Sequence, residues 1–165
     1  MRGSGKSSLA KALAQKLGRR HIDIDDLIEK KCGMSIANYV RQFGWRKFRA
    51  QEREAAQSAA LMKHTVISTG GGTMMSAKSA VLLRESGIII LLHAPVDLLK
   101  KRLARDYPRP AITSKVPAAA TWLNEIEAIW DARKMKYFEA ADYCIEIQNA
   151  ALSKNLAALM KIFKS

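Results

Sequence analysis

Apolar positions along the chain change their period several times, and each change marks an element. Leu9, Leu13 and Leu17 recur every four residues over a stretch, 7–17, that ends at Gly18, which predicts a helix. His21-Ile22-Asp23-Ile24-Asp25 then alternates apolar and polar, the period of a short strand. Ser35 is placed to cap a helix reaching about Phe43, where Gly44 breaks it. A longer helix is predicted over 45–63, with small apolar residues at Ala55, Ala56, Ala59 and Ala60. Thr65-Val66-Ile67-Ser68 reads as a buried strand, Gly70-Gly71-Gly72 as a loop and 76–85 as a helix. Residues 88–92 form an unbroken apolar run, as expected for a parallel strand buried on both faces. Pro95 opens a further helix. Residues 107–117 contain three prolines and are expected to be a loop. Helices are predicted over 119–141 and 152–163, with a strand at 143–147 between them. Strands alternating with helices predict an α/β fold in three layers, a parallel sheet with helices on both faces.

The length of 165 residues fits one domain spanning the chain, with enough material for a substantial core. Nearly half of the residues, 48%, are apolar, yet no apolar run approaches the roughly 20 residues of a membrane span. With no apolar secretory stretch at the start, the sequence reads as a soluble cytoplasmic protein with no membrane partner. Cys32 and Cys144 have no metal-type spacing and are expected to be buried free thiols. The formal net charge is +13, which favours anionic partners. The basic residues are scattered and do not interleave with aromatics, so a small anionic substrate is expected rather than nucleic acid.

That charge gains meaning at Gly3-Ser4-Gly5-Lys6-Ser7-Ser8, which is most of a phosphate-binding loop. Glycines let the backbone turn several N–H groups into one concavity, and the following helix adds the positive end of its dipole. Lys6 would reach the β- and γ-phosphates, and the Ser7 hydroxyl would ligate Mg²⁺. Asp23 and Asp25, two apart on the predicted strand, would share one face near its C-terminal end, where open α/β sheets bind ligands. One carboxylate would serve Mg²⁺ and the other a substrate hydroxyl. Asp26 is an alternative cap for the next helix. Gly70, Gly71 and Gly72 suit a place where a substrate approaches the backbone closely. Arg49 and Arg133 can each fork onto a substrate carboxylate. Arg109, between Pro108 and Pro110, lies in a predicted lid over about 106–118 and can swing onto the transferring phosphate. His21, His64 and His93 show no ligand spacing, and Trp122 and Trp130 are expected in the core.

Taken in order, these segments resemble the shikimate kinase family over nearly the whole chain. The resemblance rests on 3–8, Ile22-Asp23-Ile24-Asp25, Gly33-Met34-Ser35-Ile36, Phe48-Arg49 with Glu52, and Ser68-Thr69-Gly70-Gly71-Gly72. Arg109-Pro110 and Arg133 with Tyr137 complete it. It implies a lid-bearing phosphate-loop kinase that moves the γ-phosphate of ATP to the 3-hydroxyl of shikimate, on the route to chorismate and the aromatic amino acids. By resemblance, Lys6 and Arg109 contact phosphates, Ser7 and Asp23 serve Mg²⁺, and Asp25 holds the shikimate hydroxyls. Arg49 and Arg133 clamp its carboxylate, Gly70, Gly71 and Gly72 lie along its ring, and Arg102 stacks near adenine. A monomer acting on ATP and shikimate is expected.

Two departures shape the expectations. Gln148-Asn149-Ala150 does not match the family's adenine contact. Only Met1 and Arg2 precede Gly3, whereas a phosphate loop is held by a strand at one end and a helix at the other. A central strand of about six to ten β-branched or aliphatic residues is therefore expected upstream, in a sheet order resembling 2-3-1-4-5. Without it the sheet should have a gap and nucleotide binding should be weak. A related kinase for another hydroxy acid such as gluconate, and a non-catalytic binding protein, remain alternatives.

Overall fold

Two short parallel strand pairs and the helices around them carry the chain. The computed structural model describes residues 3–105 and 119–163, with the backbone alone for 103–105 and 119–125. The expected lid, Arg109 and the side chain of Trp122 lie outside the described residues. Helix α1 spans Lys6–Leu17 and buries Leu9, Leu13 and Ala14, so the four-residue leucine spacing is its inward face. Gly18 closes it in the left-handed region at φ 64°. Strand β1 (Arg20–Asp23) pairs in parallel with β2 (Thr65–Ser68), with Asp23 beside Ser68. Strand β3 (Ile90–His93) pairs in parallel with β4 (Tyr143–Glu146). Between them run α2 (Ile24–Cys32), α3 (Ile36–Ala60), α4 (Ala77–Ser86), α5 (Val96–Arg105), α6 (Ala119–Ala140) and α7 (Leu152–Met160).

Adjacent residues on β2 point to opposite faces, and each face has its own core. Val66 packs with Leu9, Leu13, Leu99 and Leu159 of the first cluster, Ile67 with Ile24, Ile28, Phe48 and Ala56 of the second. This is the expected three-layer α/β arrangement with parallel strands. The order is β1-β2 and, separately, β3-β4. Among the described residues β2 pairs only with β1, and β3 only with β4. A cavity of about 860 Å³ is walled by Val66, Ile67, Leu91, Leu92, Leu13 and Leu159.

Several boundaries differ from the sequence reading, each for a physical reason. Asp25 is not on a strand: β1 stops at Asp23, and α2 begins at Ile24. Asp23, not Asp26, is the cap, its side chain accepting from the Asp25 N–H at 3.0 Å. Ile24 and Ile28 are buried four apart, so helical packing overrides the local alternation. Gly44, at φ 79° and ψ 164°, is non-helical and breaks α3 into two helices meeting at a kink, as the sequence predicts. Ser35 and Ser76 cap α3 and α4, and a single 3₁₀ turn, Thr73–Met75, precedes α4. Strand β3 starts at Ile90 because Ile88 is exposed, and its residues are only half-buried beside the cavity. Cys144 is exposed and Cys32 half-buried, so neither thiol is a core residue; both are free.

Candidate active site

Parallel pairing brings the C-terminal ends of β1 and β2 together, and the polar residues gather there. Asp23 ends β1 and is tied down from three sides. Ser7 at the start of α1 donates to its Oδ2 at 2.6 Å, Ser68 at the end of β2 donates to the same oxygen at 2.8 Å, and the Asp25 N–H donates to Oδ1. His21 extends the chain, its Nε2 standing 3.0 Å from the Ser68 hydroxyl. Because Ser68 gives its proton to Asp23, His21 Nε2–H is the donor to Ser68.

The phosphate-loop residues cluster at the head of α1. Gly5 precedes the helix at φ 80°, a conformation open to glycine, and its carbonyl accepts from Leu9 N–H at 2.9 Å. Gly3 is also in the left-handed region, Ser4 is buried, and Ser7 and Ser8 are exposed on the first turn. Burial pushes the Lys6 ammonium below its ordinary pKa, against the opposing pull of Asp25 and Asp23. Arg102 leans on the same loop, with Nη1 at 3.4 Å from the Gly3 carbonyl and Nη2 at 3.3 Å from that of Gln148. Asn155 holds the Gln148 backbone from both sides, accepting at 3.1 Å and donating at 3.3 Å.

Asp25 links this anion site to the glycine turn. Its carboxyl is pushed up to about 6, first by burial, then by Asp23 and Glu52, against the pull of Lys6. A Cβ on Gly70 would stand 2.8 Å from Asp25 Oδ1 and 3.1 Å from Glu52 Oε1. A Cβ on Gly72 would stand 2.0 Å from the Arg49 guanidinium. At Gly70 and Gly72 the side chains of Asp25, Glu52 and Arg49 thus stand where a Cβ would be, whereas at Gly71 the nearest atom, the Tyr137 hydroxyl, is at an ordinary 3.6 Å. Arg49 is half-exposed, paired with Glu52 at 2.6 Å, and its guanidinium carbon lies 5.1 Å from the Trp45 ring. Arg133 is half-buried on α6, and among the described residues no hydrogen bond or ion pair engages it.

Glu52, Thr73, Ser68 and His21 also lie in this cluster, although the sequence reading gave Glu52 and Ser68 only as part of the family resemblance and gave Thr73 and His21 no role. Glu52 is only 4% exposed and accepts from Arg49 and, at 3.0 Å, from Thr73 Oγ1. Its three-residue spacing from Arg49 on one helix was the available clue. Ser7 and Asp23 offer a hydroxyl and a carboxylate, hard oxygen donors that suit Mg²⁺. Among the described residues no group of three His, Cys, Asp or Glu is placed to hold a metal, so phosphate oxygens and water would complete such a site. No helix among the described residues is long and apolar enough to cross a membrane.

Comparison with known proteins gives the chain's family and fold. The sequence profile of the family described as "Shikimate kinase" matches residues 2–163. A shikimate kinase of Oleidesulfovibrio alaskensis is 38% identical over 148 residues, covering 88% of this chain and 83% of the relative. One of Nitratidesulfovibrio vulgaris is 34% identical over 164 residues, covering 96% and 91%. Among solved structures, a shikimate kinase from Acinetobacter baumannii in complex with shikimate superposes with a TM-score of 0.87 at 29% identity, covering 98% of this chain and 88% of that one. The shikimate kinase of Bacteroides thetaiotaomicron shares the fold at a TM-score of 0.88 and 24% identity, covering 99% and 94%. The chain belongs to the shikimate kinase family, and it is a phosphotransferase of the phosphate-loop kinase fold.

Proposed function

We propose that this chain transfers the γ-phosphate of ATP to the 3-hydroxyl of shikimate, giving shikimate 3-phosphate and ADP. The observation that carries this reading is the position of Asp25. It is close enough to feel the charges of Lys6, Asp23 and Glu52, and a Cβ on Gly70 would stand 2.8 Å from its Oδ1. A hydroxyl bound at Asp25 would therefore face the phosphates at the head of α1 while the rest of an acid substrate extended over the glycine turn.

Lys6 would neutralise charge on the β- and γ-phosphates, with the backbone from Gly3 to Ser8 lining the anion site. Ser7 and Asp23 would hold Mg²⁺, which supplies further neutralisation of the phosphate charge when bound. Asp25 would orient the attacking hydroxyl and accept its proton. Phosphoryl transfer passes through a loose transition state, so positioning and charge carry most of the catalysis. Arg49 and Arg133 would clamp the substrate carboxylate across Gly70, Gly71 and Gly72. Arg102 would stand beside the adenine, and Arg109 of the 106–118 lid would close on the phosphates. The chain would act as one kinase domain, as a monomer in the cytoplasm, and the basic surface around the site would draw anionic substrates to it.

The test is ADP release with Mg²⁺ and ATP over a panel of hydroxy acids. Turnover is expected with shikimate and not with gluconate. Faster turnover of gluconate would make this a kinase for another acid, and binding of shikimate without ADP release would make the chain a binding protein.

A further inference from the structure

Three successive glycines are the most mobile backbone a chain can offer, yet here they must hold a floor under the substrate. The carbonyls on either side are used within the turn itself: Gly70 O accepts from Thr73 N–H at 3.3 Å and Gly72 O from Met75 N–H at 2.9 Å. The middle carbonyl, Gly71 O, is taken from outside, by the Tyr137 hydroxyl at 2.6 Å. Tyr137 is only 6% exposed, and its ring has a fixed seat. It lies nearly parallel to Trp130, with centroids 6.2 Å apart, and Trp130 stacks in turn on His93 at 5.0 Å. His93 is the last residue of β3, whose carbonyl accepts from Ile147 N–H at 2.6 Å. An aromatic ladder thus runs from the sheet to the glycine turn, and its last rung is a hydrogen bond.

Tyr137 is also four residues after Arg133 on α6, so the two share a helix face. We infer that Tyr137 is a positioning residue for the acid substrate: by tying the Gly71 carbonyl to the helix that carries Arg133, it sets the spacing between the glycine floor and that guanidinium. This rests on the placing of Arg133 at the substrate carboxylate. The ring alone would fill the space; the hydroxyl fixes the height of the turn, and with it the clearance of Gly70 beneath Asp25 and of Gly72 beneath Arg49.

Tyr137→Phe keeps the ring and its stack and removes only the tie. The expected result is a rise of about fivefold in KM for shikimate, the weight of one neutral hydrogen bond. KM for ATP and kcat should each change less than about twofold, and the melting temperature should stay close to that of the parent. A part that is only structural would move ATP and shikimate parameters together, and that result overturns the inference. So does an unchanged KM for shikimate in Tyr137→Phe while Arg133→Ala raises it strongly. If Arg133→Ala itself leaves KM for shikimate unchanged, the placing of the carboxylate site is wrong and the inference falls with it. In the double variant the two effects should add to less than their sum, because both act on one spacing.

Discussion

Asp25 is held near the point where its charge is easily lost. Burial and the neighbouring carboxylates of Asp23 and Glu52 raise it to about 6, and Lys6 only partly offsets them. The folded protein therefore keeps the proton between the ordinary 3.8 and about 6. The stability this confers is complete below the lower value and is lost as pH rises through the upper one. For activity the sense is opposite, because a carboxylate that accepts a proton must be ionised. The acid limb of kcat/KM for shikimate, which reports the free enzyme, should fall off below about pH 6. Glu52→Gln removes one of the charges that raise Asp25 and should move that limb to lower pH. A limb that stays in place would mean that another group sets it. Lys6→Ala should cost at least ~10²-fold in kcat, on the scale of deleting one electrostatic stabiliser, as read by initial rates on a variant with an unchanged melting temperature.

At the scale of elements, the glycine turn lies close under the side chains of Asp25, Glu52 and Arg49. Gly72→Ala would drive a methyl into the Arg49 guanidinium, which stands 2.0 Å from where the Cβ would be. Arg49 must swing away from Glu52, leaving a buried carboxylate short of a donor. The expected outcome is a KM for shikimate raised ~10-fold or more, on the scale of a lost charge-assisted pair, with KM for ATP retained in the same assay. Most elements could be read beforehand from period and punctuation: the leucines of α1, Ser35 as a cap, Thr65–Ser68 as a strand. The start of α2 could not. His21 to Asp25 alternates like a strand, and only the burial of Ile24 and Ile28 against α3 makes its second half helical. Partners from distant segments were equally out of reach. Nothing local links His21 to Ser68, or Tyr137 to Gly71, because those contacts exist only once β1 lies on β2 and α6 on the glycine turn.

Among the described residues the elements fall into two groups, one around each strand pair. One group, β1 and β2 with α2, α3 and α4, supplies Asp23, Asp25, Arg49, Glu52 and the glycine turn; the other, β3 and β4 with α5, α6 and α7, supplies Arg102, Arg133 and Tyr137. Helix α1 stands against both, with Leu13 and Leu9 in the core that also holds Leu99, Ile147 and Leu159. Each described strand has a single partner, and residues of β2 and β3 wall the cavity of about 860 Å³. The proposed phosphoryl transfer would draw on residues from both groups at once. The measurement that tests this account most directly is identification of the product when the chain is incubated with Mg²⁺, ATP and shikimate, by phosphorus NMR and mass. The account predicts one equivalent of ADP for each shikimate phosphorylated, with the phosphate on the 3-hydroxyl, and loss of both products in Lys6→Ala. Free phosphate with unmodified shikimate, or phosphate on a different hydroxyl, would contradict it.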